Sequence, residues 1–391
     1  MDSETAGNGR GPLAGITVVD LTRVLAGPFA TMVLRDLGAR VIKVEHTDGG
    51  DDARAFGPFI GGRSAYFTGL NGGKESIALD LKDDADRSVF ERLVANADVL
   101  VENFRPGTMD RLGFGWDDLH PRHPRLIYAA VSGFGRTGPY AHRPAYDMVV
   151  QGMGGVMSVT GEEGRDPVRV GVSIGDITAG LFLANGVNAA LYRREHTGEG
   201  ILIDVGMLDC QVAILEASVS RYFVLGEVPR PIGSRHPFIA PFAALHTQDG
   251  QVVVAVGNDK FFSTLCEVLE VPGLADDPRF VNNHERSENV LALHDELEAA
   301  LAARTTSEWL GRLEAAGIPC GPVNDIEAVV NDPHVLARNM ILEIDDPAVH
   351  PMKSPGNPIK MSGFPDLRIR PAAPELDADG ARLREEFAPD R

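Results

Sequence analysis

The chain has 391 residues, 43% of them hydrophobic, with 37 Lys+Arg against 56 Asp+Glu and a formal net charge of −19. That length allows two or three domains around a large core. The charge argues against nucleic acid or an anionic membrane as the main partner, yet leaves room for a local basic pocket. Cys210, Cys266 and Cys320 lie far apart with no CxxC pair, so reduced thiols and a cytoplasmic location are expected. The polar start MDSETAGNGRGP has no signal-peptide pattern, and no apolar run approaches the ~20 residues of a membrane span.

The first segment reads β-α-β. ITVVDL is a short apolar strand, and Gly27-Pro28 sits where a helix begins. FATMVLRDLGA has helical apolar spacing, Gly38 suits its stop, and RVIKVE is the next strand. Strand SIALDL, helix DADRSVFERLVANA and strands DVLVENF and RLIYAAVSGFG follow. A Gly-, Pro- and His-rich loop leads to VRVGVSI as strand, ITAGLFLANGVNAALYRRE as helix and GILIDVGML as strand. The alternation predicts an α/β fold, with a Rossmann-like large domain on a parallel sheet.

After residue 210 the texture changes. DCQVAILEASVSRYFVLG reads as one long helix, PRPIGSRHPFIAPF as a stiff loop, and AALHTQDGQVVVAVG as a hairpin turning at Asp249-Gly250. The expected organisation is a disordered tail (1–11), the large domain (12–205), a linker helix (206–224), a smaller α+β domain (225–320), and a segment (321–391) returning to the large domain.

Motif searching removes many chemistries. There is no P-loop, no dinucleotide fingerprint after the first strand, no nucleophile elbow and no zinc-protease helix. The 11 His are scattered, so no metal site is expected. Polar residues gather instead at predicted strand ends, where open parallel sheets bind ligands. They are Arg23 to Ala26, Glu45-His46, Asn103 to Arg105, Tyr146-Asp147 and Gly175-Asp176. Each has a plain structural reading too. Asp176 before an apolar run suits a helix N-cap, and Asp147 a second one. Lys74 and Arg111 suit solvated or ion-paired cations, His236 a loop, and Tyr66 and Phe67 the core.

Taken together, several stretches resemble one family. They are PLAGITVVDLTRVLAGPFATMVLRDLGARVIKVE, YFTGLNGGKESIALDL, ADVLVENFRPGTMDRLGFGWDDL, LIYAAVSGFGRTGPYAHRPAYDMVVQGMGG, SIGDITAGLFLANGVNAAL and AAGIPCGPVNDI. In this order, over about residues 12 to 365, they are similar to the class III (CaiB/BaiF-type) CoA-transferases, which include formyl-CoA and carnitine-CoA transferases.

The resemblance implies a Rossmann-like large domain, a smaller domain and two chains interlocked as rings in a homodimer. It implies no tightly bound cofactor, with coenzyme A and acyl-CoA as substrates and small carboxylic acids as the other partners. It assigns Asp176 as a nucleophile that passes through an aspartyl anhydride and an aspartyl-CoA thioester. Residue by residue it implies CoA contacts at Arg23, Val24, Ala26, His46, Leu70, Asn71, Lys74, Asn103, Phe104, Arg105, Met109 and Arg111. It places Tyr146, Asp147 and Gly175 beside the nucleophile, and the small Ala179 and Gly180 where substrate nears the backbone. Pro144 stands where formyl-CoA transferases carry a lysine, and their long Gly-rich loop is replaced here by GSRHPFIAPF.

Two rival readings remain. The related α-methylacyl-CoA racemases use a His/Asp pair, but Tyr146 fills the histidine position, and a phenol of pKa near 10 is a poor base. The other is a CoA-binding module without turnover. For the substrate, Arg230, Arg235 and His236 make a cationic loop suited to a second carboxylate, which points to a succinyl-CoA:dicarboxylate transferase. The alternative places those arginines at the dimer surface.

Overall fold

The chain is described here by a computed structural model covering residues 11–388. All of the expected tail except Gly11 lies outside the described residues. The chain divides into two compact units, residues 1–156, 169–224 and 333–391 in one, and 157–168 and 225–332 in the other.

The first unit is built on six parallel strands: β1 (Thr17–Asp20), β2 (Arg40–Glu45), β3 (Glu75–Ala78), β4 (Val99–Glu102), β5 (Ile127–Ser132) and β6 (Leu202–Gly206). Their spatial order is 3-2-1-4-5-6, the doubly wound dinucleotide-fold order. Alternate residues of β1, β4 and β5 face opposite ways, so each face has its own core. Val18, Val99, Val101 and Ala129 pack against helices α1 (Ala26–Asp36) and α3 (Ile174–Thr197). Val19, Leu100 and Tyr128 pack against α2 (Asp84–Ala95) and the last helix, through Phe90, Leu93 and Leu383. Loops leave the sheet in opposite directions between β1 and β4, and a crevice opens there at the carboxyl ends of the strands.

Local chemistry explains the boundaries. Asp83 caps α2 by accepting the Ala85 and Asp86 N–H groups. Gly38 ends α1 at φ +105°, a conformation open to glycine. Strand β3 is an edge, and two aspartates of the returning segment cover it. Asp379 accepts the Ser76 N–H at 2.9 Å and Asp377 the Ala78 N–H at 2.8 Å.

Three expectations are corrected. VRVGVSI forms no strand. Side chains take part of its backbone, with the Val170 N–H on Gln151 Oε1 at 2.9 Å and the Arg169 guanidinium on the Val170 and Gly171 carbonyls, while the Val168 N–H goes to the Thr160 carbonyl at 3.0 Å. The long helix after residue 206 is two, Met207–Ala213 and Ala217–Leu225, broken at Glu216, where φ is +36°. Both belong to the first unit as far as Val224. The return to that unit begins at Pro333, because Cys320–Pro322 pairs in the other unit's sheet.

That other unit holds an antiparallel sheet of Phe242–His246, Gln251–Ala255 and Cys320–Pro322. Its core joins Val252 and Val254 to Phe262, Leu297 and Trp309 of the covering helices. Helix α3 is long and apolar enough to cross a membrane by length and composition. Half of its most apolar stretch is buried, and it packs along α1 with an aspartate in its first turn, as a core helix does.

Candidate active site

A cleft of about 220 Å³ opens at the switch point between β1 and β4. Its walls come from the turn after β1 (Arg23 to Ala26), the loop after β4 (Asn103 to Pro106), the end of β5, the segment Arg143 to Tyr146, and Asp176. Residues predicted at four separate strand ends thus meet in one place.

Asp176 is the third residue of α3, and Ser173 occupies the cap position. The N-cap reading of Asp176 is therefore corrected. The carboxyl is largely buried, which raises its pKa to about 7, and Asp147 adds to the rise. The Ala26 N–H, at the start of α1 in the same cleft, favours the charged form and opposes the shift. Two helix N-termini converge here because Gly180 lets the helices touch. A Cβ at Gly180 would stand 2.7 Å from the Ala26 carbonyl oxygen. The smallness of Gly180 thus serves helix packing, and Ala179 is core. That corrects their expected role in admitting substrate.

Asp147 is buried, with Oδ1 accepting the Gly175 N–H at 2.8 Å and Oδ2 accepting Gln151 Nε2 at 2.7 Å. It caps the helix that carries Asp176 instead of facing the cleft. Gly175 is required there, since a Cβ would meet Val150 Cγ2 at 2.7 Å. Tyr146 is 76% exposed and lines the cleft. Tyr66, read as core, is half-buried. Its hydroxyl is raised to about 12 by burial and by the Asp176, Asp51 and Asp147 carboxylates. Sequence reading had no signal for that proximity.

A second, mainly apolar cleft adjoins the first and shares Arg23 and Phe104 with it. Leu21, Val44, Leu79, Leu81 and Leu112 line it, with Lys82 and Arg23 as the cations and His46 beside them. Arg23 pairs with Asp52 at 3.1 Å and lies over the Phe104 ring at 5.4 Å. Arg105 and Arg111 are both exposed, and Arg105 lines the first cleft. Arg111 donates to Thr108 Oγ1 at 3.0 Å.

Five expected CoA contacts line neither cleft: Arg111, Met109, Leu70, Asn71 and Lys74. Met109 is packed in the core behind β4. Asn71 is fully buried and donates to the Phe67 carbonyl at 3.0 Å, and Leu70 lies beside it on the same short helix. Lys74 is fully buried with Asp20 at 2.9 Å and Thr31 Oγ1 at 2.7 Å. Burial lowers Lys74 to about 8, against the pull of Asp20. Burial alone would raise Asp20, but Lys74 and Lys43 outweigh it and hold the carboxyl well below its usual range. The segment instead reaches the clefts through Leu79 to Lys82, just past the end of β3. Counting onward from the strand to its end would have found them.

The cationic loop belongs to the other unit, where its side chains have partners of their own. Arg235 is ion-paired with Glu163 and donates to the Ile232 carbonyl, and His236 Nδ1 accepts the Phe238 N–H at 3.1 Å. Both hold their own loop. The cation overlooked in the Asp176 cleft is Arg143, stacked over Tyr140 at 4.6 Å and Phe134 at 5.6 Å. No group of three or more His, Cys, Asp or Glu suited to a metal occurs among the described residues.

The family described as CoA-transferase family III matches residues 13–380. The chain belongs to that family, and it is a CoA-transferase. Such enzymes use CoA thioesters as substrates. It is 48% identical over 389 residues to the acetyl-CoA:oxalate CoA-transferase of Acetobacter aceti, covering 99% of each chain. It is 40% identical over 361 residues to the mouse succinyl-CoA:glutarate CoA-transferase, covering 92% of this chain and 83% of that one. The crystal structure of a CAIB/BAIF family protein from Brucella suis matches with a TM-score of 0.86 at 39% identity, over 97% of this chain and all of the other.

Proposed function

We propose that the enzyme moves CoA from succinyl-CoA or a similar short acyl-CoA to a dicarboxylate acceptor, with Asp176 as the nucleophile. The observation that carries this reading is the Asp176 carboxyl itself, largely buried in a switch-point cleft and raised to about 7. A carboxylate of that basicity is a stronger nucleophile than a solvated aspartate and is still substantially ionised at neutral pH. In the first step Asp176 attacks the thioester carbonyl, the C–S bond breaks and CoA thiolate leaves. The thiolate then attacks the aspartyl carbonyl of the mixed anhydride and releases the donor acid as a carboxylate. The acceptor carboxylate attacks the aspartyl-CoA thioester, and the returning thiolate takes the acyl carbon of the second anhydride. Asp176 is regenerated and no water is consumed.

The apolar cleft with Arg23, His46 and Lys82 suits the adenine and phosphates of CoA. Its shared residues Arg23 and Phe104 lead toward Asp176. Arg143 supports a dicarboxylate: a guanidinium stacked on two rings presents its N–H fork to a carboxylate. Donor acid and acceptor occupy the same place in turn, so one cation can read the distal carboxylate of both. The oxalate and glutarate in the relatives' names are both dicarboxylates. The exposed run Tyr222 to Leu225, with Phe223 and Val224 nearly four-fifths exposed, supports a second copy of the chain as its cover, in the interlocked homodimer. Three reduced thiols support a cytoplasmic setting.

The test is exchange of labelled carboxylates against a panel of acyl-CoA donors, followed by hydroxylamine trapping with donor alone. Transfer to dicarboxylates and a hydroxamate at Asp176 are expected. A hydroxamate elsewhere would remove the nucleophile, and acceptance of monocarboxylates alone would remove the dicarboxylate.

A further inference from the structure

The turn between β1 and α1 carries a backbone conformation that its sequence does not favour. Val24 sits at φ +67°, in the left-handed region that a β-branched residue rarely occupies. Such strain persists only where the surroundings hold it, and here four backbone groups of the turn are held by side chains. Asn103 Oδ1 accepts the Arg23 N–H at 2.8 Å, and Asn103 Nδ2 donates to the Arg23 carbonyl at 2.7 Å. Asp51 Oδ1 accepts the Val24 N–H at 3.0 Å. Lys43 fixes Asp51 through a 2.9 Å ion pair and also donates to the Thr22 carbonyl at 2.7 Å. Two residues beyond Val24, Ala26 lines the same cleft as Asp176, and its N–H favours the ionised carboxyl.

We infer that Asn103 and Asp51 are positioning residues, which clamp the strained Arg23–Val24 turn so that the Ala26 N–H stays aimed at the Asp176 carboxylate. This rests on the reading of Asp176 as nucleophile. Both ends of the Asn103 amide are engaged with Arg23, so its orientation is set by the turn before any ligand arrives. Asp51 and Lys43 are buried, and their ion pair reaches the turn from β2. Three loops, after β1, β2 and β4, are thus tied at one point, and α1 starts from it.

The clamp acts on the charge state of Asp176. Around that carboxyl stand Asp147 and Tyr66 on their own helices, with Arg23, Asp52, Arg105 and Arg143 lining the cleft. The Ala26 N–H is the donor that favours the ionised form, so losing its aim raises the pKa of the nucleophile.

The test is Asn103→Ala, a half-exposed position whose loss strands no buried charge. Expected are a fall in kcat of about tenfold and an upward move of about one pH unit in the ascending limb of kcat/KM, with little change in the acyl-CoA KM. Asn103→Asp keeps the acceptor for the Arg23 N–H and falls between wild type and Asn103→Ala. The decisive variant adds Val24→Gly to Asn103→Ala. Glycine adopts the left-handed conformation without strain, so the pair returns the kcat and the pH limb to those of Val24→Gly alone. A rise in acyl-CoA KM with an unmoved pH limb would make Asn103 a ligand contact and overturn the clamp. So would a pair no better than Asn103→Ala. Hydroxamate mapping in the wild type tests Asp176 separately, so a failed rescue with Asp176 still labelled removes the clamp alone.

Discussion

Asp176→Asn should make the protein more stable at alkaline pH while abolishing transfer. In the folded chain the carboxyl is raised from an ordinary 3.8 to about 7, because burial and Asp147 disfavour its charge. The folded state therefore holds a proton that the unfolded chain releases between about pH 4 and 7, and stability falls as pH rises through that window. Above it the full cost of the ionised group is present, at most ~4 kcal/mol. Asparagine keeps the shape, accepts the Ala26 N–H and carries no charge. With an unfolding entropy of about 2.1 cal/mol/K per residue over 391 residues, the ceiling corresponds to a Tm about 5 °C higher for the variant. Thermal unfolding of both proteins at pH 5.0 and pH 8.5, followed by circular dichroism, reads this out. The gap should be several degrees at the higher pH and shrink toward the lower. A gap that does not change with pH, or a variant less stable at both, would refute the burial argument.

Three further outcomes are expected. Arg143→Gln should lower kcat/KM for a dicarboxylate acceptor at least tenfold while sparing a monocarboxylate, about the strength of one charged hydrogen-bonded contact; equal loss on both would remove the specificity role. Gly180→Ala should push α1 away from α3, because its Cβ would stand 2.7 Å from the Ala26 carbonyl. It should cost about 1–3 kcal/mol in denaturant unfolding and lower kcat, and an unchanged enzyme would show that the helices yield freely. Lys74→Ala should destabilise the fold by ~3–5 kcal/mol by stranding the buried Asp20, and should leave the acyl-CoA KM of folded enzyme unchanged.

Much of the frame was legible because it obeys local rules. The alternating apolar runs of β1 and β2, the helical spacing of α1 and the stop at Gly38 are all short-range features. The strand ends then predicted the crevice, since the doubly wound order places it there. What escaped was set by partners far along the chain. Lys74 is given to CoA by the resemblance, whereas its plain reading as an ion-paired cation holds, with a partner, Asp20, that lies 54 residues away and that nothing nearby names. VRVGVSI read as a strand because its alternation is correct, but Gln151 takes its Val170 N–H and no neighbouring strand is present to compete. Asp176 read as a cap because an acidic residue before an apolar run usually is one, whereas Asp147 performs that service from another helix. Val24 gave no warning at all, since valine is an unlikely occupant of the conformation it holds.

On the proposed mechanism, the raised basicity of Asp176 also bears on the order of events after the first attack. In the mixed anhydride, thiolate can attack either carbonyl. Attack on the aspartyl side expels the donor acid, whose carboxylate in solution has a pKa near 4 and leaves readily. Attack on the donor side must expel Asp176, a stronger base held in a poorly solvated pocket, and merely restores the starting thioester. The environment that sharpens the nucleophile thus also biases the anhydride forward, toward the aspartyl-CoA thioester. It has the opposite effect in the last step, where Asp176 must leave. There the Ala26 N–H matters most, since a donor already aimed at the departing carboxylate lowers the cost of releasing it. A site that only buried its aspartate would load CoA well and unload it poorly. A site that only hydrogen-bonded it would do the reverse. On that mechanism the convergence of α1 on α3 supplies both, and the packing at Gly180 and the turn at Val24 would serve the chemistry together with the carboxylate.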